Sequence, residues 1–289
     1  MLKQNKHKKR KQMKHLIKFI LSGILMISCS NNEDSTQNNE VSEPLLKKIT
    51  KVVGNSGSLP PSQSEFVITF EYDSNLKLTR KTGGYLAPNP SSGFNNPLFT
   101  NQIYTSLIYT GQNVIVEDFA SSTNFTVPIN TKYFTLSNLN LILTKEVPNN
   151  NNNYFFKKQT FNYLNNNLNE IKTTFPNMPF DSNDPNDYIL TYLEKFYFDL
   201  NSNVIKTEYF EQRNGISKGE KIVRTFENFD NSYNPFKRLK LLDEFFYLSI
   251  SKNNYRKYKE IHYQDENVGL ISETTWSYNY DTNGQIIIN

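Results

Sequence analysis

The chain has 289 residues, of which 37% are hydrophobic and 21% charged, and its mean hydropathy is -0.62. Its 18 Tyr and 21 Phe provide enough apolar bulk for a folded core, which excludes a wholly disordered protein. The single Cys and the three His exclude a disulfide-stapled scaffold and a zinc site built from cysteines or from several histidines.

The N-terminal segment has the pattern of a secretory signal. Residues 1–18 carry eight Lys or Arg and no acid, and a short apolar run over residues 19–28 follows. A helix needs about 20 apolar residues to cross a bilayer, and this run has only about half of that number. We therefore predict a signal peptide over residues 1–28, for which Met13 is an alternative start to Met1.

The end of this run, Met26-Ile27-Ser28-Cys29, resembles a bacterial lipobox, the motif at which lipoprotein precursors are cleaved. The resemblance implies cleavage between Ser28 and Cys29, and fatty acyl chains such as palmitate on Cys29. Each methylene that an acyl chain buries contributes about 0.8 kcal/mol to membrane binding, so Cys29 is the predicted membrane anchor. The alternative is a free, buried cysteine in an anchor that is not cleaved.

Residues 29–44 are predicted to be the lipidated cysteine and a flexible tether, because they are polar and contain almost no large apolar side chain. The Glu33-Asp34 pair is similar to the acidic export signals of surface lipoproteins in Bacteroidota, which implies an outer-membrane lipoprotein exposed at the cell surface. The alternative is a solvated tether that happens to carry two acids.

Loss of the signal would reverse the charge of the protein. The full chain has 32 cations and 28 acids, a net charge of +4, and removal of the eight N-terminal cations leaves 24 minus 28, or -4. A mildly acidic protein has no electrostatic attraction to phosphate backbones, so we do not expect a nucleic-acid partner.

From residue 45 onward the dominant pattern is an apolar alternation with a period of two, which is typical of half-buried β-strands. Phe66, Ile68, Phe70 and Tyr72 share one face, and the turn residues Asp73-Ser74-Asn75 follow. This hairpin pattern recurs, with varying spacing, over residues 107–116, 161–172, 196–206, 226–234 and 278–288. We predict one all-β domain over residues 45–289, an antiparallel meander of repeated hairpins that forms one large curved sheet or a sandwich.

The repeated pattern, aromatic-x-Tyr-Asp-x-Asn-x-x-apolar-x-Lys, resembles the tyrosine–aspartate (Rhs-type) repeats. It is more similar to uncharacterised repeat-bearing lipoproteins of Bacteroidota that are related to DUF4595-type domains, above all over residues 229–236 and 248–254. Only the copy at Asp281-Thr282-Asn283-Gly284 keeps the glycine of a full repeat. The resemblance implies an antiparallel β-meander and no established activity.

One segment departs from the strand pattern. Residues 235–249 place Leu239, Leu242 and Phe246 at helical spacing, so we predict one short amphipathic helix that covers an end of the sheet.

No catalytic motif is present in the sequence. His262 lies with Glu260 and Gln264 on the polar face of a predicted strand, where a histidine is usually solvated rather than part of a Ser-His-Asp triad. Paired acids such as Asp243 and Glu244 could hydrolyse glycosides, but their spacing does not select any pair. We find no phosphate loop or dinucleotide fingerprint, so we expect a protein that is not an enzyme and has no cofactor.

Two further groups of residues are candidates for binding. The run Asp199-Leu200-Asn201-Ser202-Asn203 offers alternating oxygens, as calcium prefers, but it lacks the glycine and the final glutamate of an EF-hand loop, so we interpret it as a structural turn and predict no metal site. Trp276, Tyr278 and Tyr280 share a strand face and are candidate ligand-facing aromatics, with burial in the core as the alternative.

Together these patterns predict a cell-envelope lipoprotein with a non-enzymatic structural or binding role and a glycan or protein partner. The alternative function is a carbohydrate-binding or carbohydrate-active surface protein.

Overall fold

The structure is a computed structural model that describes residues 45–52, 65–86, 98–123, 126–128, 130–282 and 285–288. The described residues belong to one compact unit, Glu43–Asn289. The predictions for the signal peptide, for Ser28 and Cys29, for the tether and for the Asn283-Gly284 turn lie outside the described residues.

Sixteen strands make up most of the described chain. The first eight are β1 (Lys48–Val52), β2 (Glu65–Tyr72), β3 (Leu78–Leu86), β4 (Leu98–Thr110), β5 (Asn113–Ala120), β6 (Lys132–Leu136), β7 (Ile142–Val147) and β8 (Lys157–Leu164). The others are β9 (Asn167–Thr174), β10 (Leu190–Phe198), β11 (Val204–Arg213), β12 (Ile216–Glu227), β13 (Lys257–Gln264), β14 (Asn267–Thr275), β15 (Tyr278–Tyr280) and β16 (Ile286–Ile288). The described chain has one α-helical turn, α1 (Phe246–Ser249), and three short 3-10 turns at Asn153–Phe155, Pro235–Leu239 and Asp243–Phe245.

The strands form a single sheet, which confirms the predicted all-β meander and selects one sheet over a sandwich. From β1 to β14 each strand pairs with the next in the chain, and these pairings are antiparallel. The chain then returns to the first strand, where β16 pairs in parallel with β1 and brings Ile49 opposite Ile286. The edges of the sheet are β14 and β15.

The period-two alternation in β2 places the side chains as predicted. Phe66 and Phe70 are buried, at 6% and 4% exposure, whereas Val67 between them is exposed. Because successive strand residues point to opposite faces, this alternation assigns every apolar ring of the strand to one side of the sheet. We call that side the inner face.

The recurrent aspartate builds the same turn more than once. Asp73 Oδ1 accepts hydrogen bonds from the backbone N–H groups two and four residues later, at 2.9 and 2.8 Å. Asp199 Oδ1 accepts the equivalent pair, both at 2.8 Å. Aspartate favours such turns because its short side chain can satisfy local amides that the strand ladder no longer reaches. These contacts give the Asp199 turn the structural role that we predicted for it.

The fourth residue of each turn adopts a left-handed backbone conformation. Leu76 in the Asp73 turn, Asn140 in the β6–β7 turn and Ser202 in the Asp199 turn have φ angles of 57°, 58° and 63°. The β8–β9 hairpin uses a tighter turn in which both Asn165 and Asn166 have positive φ, at 50° and 65°. Asparagine tolerates this region better than most residues, which explains why so many of the 41 Asn fall between strands.

The connection from β12 to β13, residues 228–256, lies against the inner face, and we call it the inner segment. The predicted short helix is present as α1, but it is shorter than the predicted span of residues 235–249, where two 3-10 turns precede it. Between residues 235 and 249 these turns bury five apolar side chains of the core. They are Phe236, Leu239, Leu241, Leu242 and Phe245.

We predicted that this segment would cover one end of the sheet, but the inner segment is not such a cap. Phe245 packs on Phe70 of β2 with ring centroids 5.6 Å apart, and Phe236 packs on Tyr278 of β15 at 6.0 Å. Farther along the sheet, the α1 residue Tyr247 packs on Phe226 of β12 at 5.8 Å. The sheet therefore curves around the inner segment, and the core lies between the two.

Candidate functional site

A cleft of about 1100 Å³ opens between the inner segment and one end of the strands. Because successive strands are antiparallel, every turn that follows an even-numbered strand lies at this same end. The turns after β2, β6, β8 and β10 form one wall of the cleft, and inner-segment residues between 231 and 253 form the other.

Aromatic side chains at the ends of the even-numbered strands line the wall nearest the core. Tyr109, Tyr163 and Phe198 each come shortly before a turn, as the repeated pattern requires, and each lines the cleft. Tyr163 donates a hydrogen bond to the Ile142 carbonyl at 3.1 Å, and burial raises the pKa of Tyr163 to about 12. The phenol is therefore neutral at physiological pH and can act as a hydrogen-bond donor.

Amide and hydroxyl side chains are the most numerous polar groups of the cleft. Each amide carries both donors and acceptors, so a row of them can bind a ligand rich in hydroxyl groups. They are Asn75, Asn140, Asn166, Asn167, Asn231 and Asn253, together with Ser202, Ser232 and Ser249.

The cleft is also basic, and no Asp or Glu lines it among the described residues. Lys77 Nζ lies 5.1 Å from the centroid of the Tyr109 ring, and Lys237 Nζ lies 5.2 Å from that of Tyr233. Such cation–π contacts hold each ammonium group without neutralising its charge. The remaining cations of the lining are Arg238, Lys240 and Lys252.

The acids of the nearby turns are occupied by backbone amides. Asp73 and Asp199 each accept two N–H groups within their own turns. Asp230 Oδ1 likewise accepts the N–H groups of Ser232 and Asn254, at 3.1 and 3.2 Å. These carboxylates therefore bond to backbone amides, while lysines line the cleft.

A second polar cluster lies on the inner face of β10, β12 and β13. Arg224 Nη1 is 3.2 Å from Glu194 Oε1, and Arg224 Nε is 2.8 Å from Glu260 Oε2. The Tyr247 hydroxyl donates to Glu194 at 2.8 Å. Glu194 is only 8% exposed, and both carboxylates share the guanidinium of Arg224.

The two glutamates of this cluster titrate differently. Burial raises the pKa of Glu194 above its ordinary value, although Arg224 opposes the change. Burial also opposes ionisation of Glu260, but hydrogen bonds from Tyr258 and His262, together with Arg224, lower its pKa. Two carboxyl groups with pKa values shifted in opposite directions are the arrangement that acid–base catalysis uses.

The sequence suggested that His262 is simply solvated, but the structure shows otherwise. It shares a face with Glu260, as predicted, but that face is the inner one, and His262 Nε2 lies 2.6 Å from Glu260 Oε1. His262 Nδ1 is 3.6 Å from Glu220 on the neighbouring strand. The ring therefore lies between two glutamates.

The three predicted ligand-facing aromatics do not form one exposed surface. Tyr278 is only 6% exposed, and Trp276 packs edge-on against Tyr255 and Tyr278 at 5.5 and 6.3 Å. Tyr280 alone is exposed, at 43%. The sheet uses the first two rings as core, which was the alternative interpretation of the alternation.

The acid pair Asp243-Glu244 pairs with lysines of the sheet. Asp243 contacts Lys132, at 3.0 Å, and Lys145, and Glu244 contacts Lys81. Within the described part of the chain, no cluster of three or more His, Cys, Asp or Glu could hold a metal ion. None of the helices described here is long and apolar enough to cross a membrane.

Sequence reasoning missed the basic cleft. Three of its cations fall in Lys237-Arg238-Leu239-Lys240, inside the segment interpreted as an amphipathic helix. The available signal was this local run of cations, with no acid between Lys237 and Asp243. Its meaning depends on the inner segment facing the turns, which is a long-range feature of the fold.

No family model matches the chain, and no curated protein matches it. Among solved structures, a porin-like protein from Bacteroides uniformis aligns with 79% of this chain and 84% of its own, with a TM-score of 0.44 and 14% identity. A porin-like protein from Bacteroides vulgatus aligns with 79% of this chain and 87% of its own, with a TM-score of 0.40 and 11% identity.

Proposed function

We propose that this protein is an outer-membrane lipoprotein of the cell envelope, attached through acyl chains on Cys29, and that its β-domain is a non-enzymatic binding module. The basic N-terminal head, the short apolar run and the position of the only cysteine support the anchor. The tether over residues 29–44 would let the domain face outward from the membrane.

The observation that carries the binding role is the lining of the cleft. It combines amides, hydroxyls, aromatic rings and cations, which can hold a polar ligand from two walls. Its described lining contains no carboxylate that could act as an acid or a base. Binding without chemistry is therefore the role that this lining fits best.

The anchor is tested by replacing Cys29 with Ala in cells fed a clickable palmitate analogue. We expect the wild type to carry the label and to fractionate with membranes, and we expect Cys29→Ala to lose both properties. Ser30→Ala, one residue away, is the matched control and should behave as the wild type. A Cys29→Ala protein that stays in the membrane fraction would refute the lipid anchor.

The binding role is tested by blocking the cleft. Asn231 lines the cleft and is exposed, so Asn231→Trp should fill it, whereas Asn150→Trp places the same ring on an exposed loop at the opposite end of β7 and β8. We would measure binding of both variants to an array of neutral and acidic oligosaccharides and peptides. Wild-type binding that Asn231→Trp abolishes and Asn150→Trp preserves supports the proposal. No binding by the wild type, or binding that the blocked cleft retains, contradicts it.

The opposed pKa shifts of Glu194 and Glu260 favour a second candidate, a carbohydrate-active enzyme. This candidate predicts the release of reducing ends from one of the arrayed oligosaccharides and the loss of that activity in Glu194→Gln. If the wild type releases sugar and Glu194→Gln does not, the enzyme replaces the binding module as the better account.

A further inference from the structure

The charges of the cleft are less balanced than those elsewhere on the inner face. Lys81, Lys132 and Lys145 all pair with acids of the inner segment. By contrast, Lys77, Lys237, Lys240 and Lys252 of the cleft form no salt bridge to any described residue. Four lysines without an acidic partner in one cleft leave a positive potential that a ligand can neutralise.

These cations lie on both walls of the cleft. Lys77 ends the β2–β3 turn, while Lys237 and Lys240 belong to the first part of the inner segment and Lys252 to its last part. Arg238 connects the two walls, because its Nη1 donates to the carbonyl of Leu76 at 3.2 Å. An anionic chain lying along the cleft would therefore meet cations from both sides.

Burial strengthens this attraction. The Lys240 ammonium donates to the Asn140 carbonyl, and burial lowers the pKa of Lys240 below its ordinary value. Coulomb attraction grows as the local dielectric constant falls, so an anion beside this ammonium gains more than it would at an open surface.

The uncharged part of the lining identifies the rest of the ligand. Six asparagines and three serines offer donors and acceptors in the mixture that sugar hydroxyls match. Tyr233, which is 37% exposed, offers a ring on which a sugar face can stack. The lining also includes Leu and Ile side chains, such as Leu139 and Ile250, but a peptide that binds by strand addition needs an open strand edge, and the cleft is formed by turns.

We propose that the cleft binds an acidic oligosaccharide, a glycan that carries carboxylate or sulfate groups. This inference rests on the proposed binding role and adds the chemical class of the ligand. The lysines of the two walls neutralise the acid groups, and the asparagines and Tyr233 bind the sugar rings between them.

The test is calorimetric titration with four defined probes of similar length. They are a hexagalacturonate, a heparin-derived hexasaccharide, the neutral maltohexaose and a hexaglutamate peptide. We expect binding of at least one acidic saccharide, weaker binding in high salt, and little or no binding of maltohexaose and hexaglutamate.

Variants of matched charge then locate the site. Lys237→Gln/Lys252→Gln removes two cleft cations and should weaken acidic-saccharide binding about tenfold. Lys172→Gln/Lys195→Gln removes two exposed cations of the outer face and should change binding less than about twofold. Circular dichroism and thermal melting establish that all variants are folded.

The outcomes separate the two proposals. Equal binding of maltohexaose, or no effect of the cleft lysines, refutes an acidic ligand while a binding cleft still stands. Hexaglutamate that binds as tightly as hexagalacturonate identifies an acidic polymer without sugar specificity and also refutes the inference. No binding of either acidic saccharide overturns it outright, and only failure of the Asn231→Trp experiment overturns the binding cleft as well.

Discussion

Truncation of Phe236 to Ala tests whether the inner segment is the centre of the core. Phe236 is 0% exposed, and its ring lies 6.0 Å from Phe245 in a stacked geometry and 6.0 Å from Tyr278 of β15. It thus joins the inner segment to a strand at the far edge of the sheet. Removing the ring leaves a cavity that backbone around it cannot easily fill, because the 3-10 turn Pro235–Leu239 is capped by the Asn234 side chain.

The expected loss follows from these contacts. Phe-to-Ala truncations in protein cores cost about 3–5 kcal/mol in transfer and cavity terms. Two aromatic contacts, each worth about 0.5–1.5 kcal/mol beyond burial, place Phe236 in the upper part of that range. We therefore expect the free energy of unfolding to fall by about 4–5 kcal/mol, a large part of the roughly 5–15 kcal/mol of a typical domain.

Urea denaturation followed by the fluorescence of Trp276 measures this loss, because that ring packs against Tyr278. Phe180→Ala is the matched control, since Phe180 is 45% exposed on the loop between β9 and β10, and its loss should not exceed about 0.5 kcal/mol. A Phe236→Ala protein that loses less than about 1 kcal/mol, with an unchanged denaturant slope, would refute the central position of the inner segment.

Three further changes test the turns and the ion pairs of Asp243 with Lys132 and Lys145. Asp199→Ala removes an acceptor for two amides and should lower the free energy of unfolding by about 1–3 kcal/mol, with Asp199→Asn losing less. Leu76→Asn should raise it by about 1 kcal/mol, because Leu76 has a φ of 57° and asparagine tolerates that conformation better. Burial opposes ionisation of Asp243, but Lys145 and Lys132 lower its pKa below 3.8. The ion pairs that lower this pKa stabilise the fold fully above pH 3.8, and their contribution is lost as the pH falls through the pKa of Asp243 in the folded state. Asp243→Asn should therefore destabilise the protein more at pH 7 than at about pH 2.5.

Chemical denaturation at the stated pH values measures all three changes. Asp199→Ala without a loss would mean that the turn amides find other acceptors, and a destabilised Leu76→Asn would show that the leucine contributes packing that outweighs its backbone strain. An Asp243→Asn cost that is independent of pH would contradict the ion pairs with the two lysines.

Local features of the fold could be predicted from the sequence. The alternation from Phe66 to Tyr72 predicts both a strand and its buried face, because each side chain's direction depends only on its own position. The Asp-x-Asn turns could also be recognised, since the bonds of Asp73 and Asp199 reach only four residues along the chain. Turn chemistry is local, so a turn needs no knowledge of its neighbours.

Long-range features could not be predicted in this way. The parallel pairing of Ile49 with Ile286 joins the two ends of the domain, and no local pattern specifies it. The placement of the inner segment, and with it the burial of Tyr278 against Phe236, depends on how far the sheet curves. The cleft depends on the same curvature, which is why its lysines gave only a weak local signal.

The repeat provides a physical link between the fold and the cleft. Strands β2, β4, β8 and β10 each carry an inward-packing aromatic residue at or next to their last position, and the turns at Asp73 and Asp199 direct a carboxylate to backbone amides. An acid that is used to close a turn is unavailable as a partner for Lys77 or Lys252 across the cleft. Loss of the Asp199 turn should therefore weaken ligand binding by disordering this wall of the cleft.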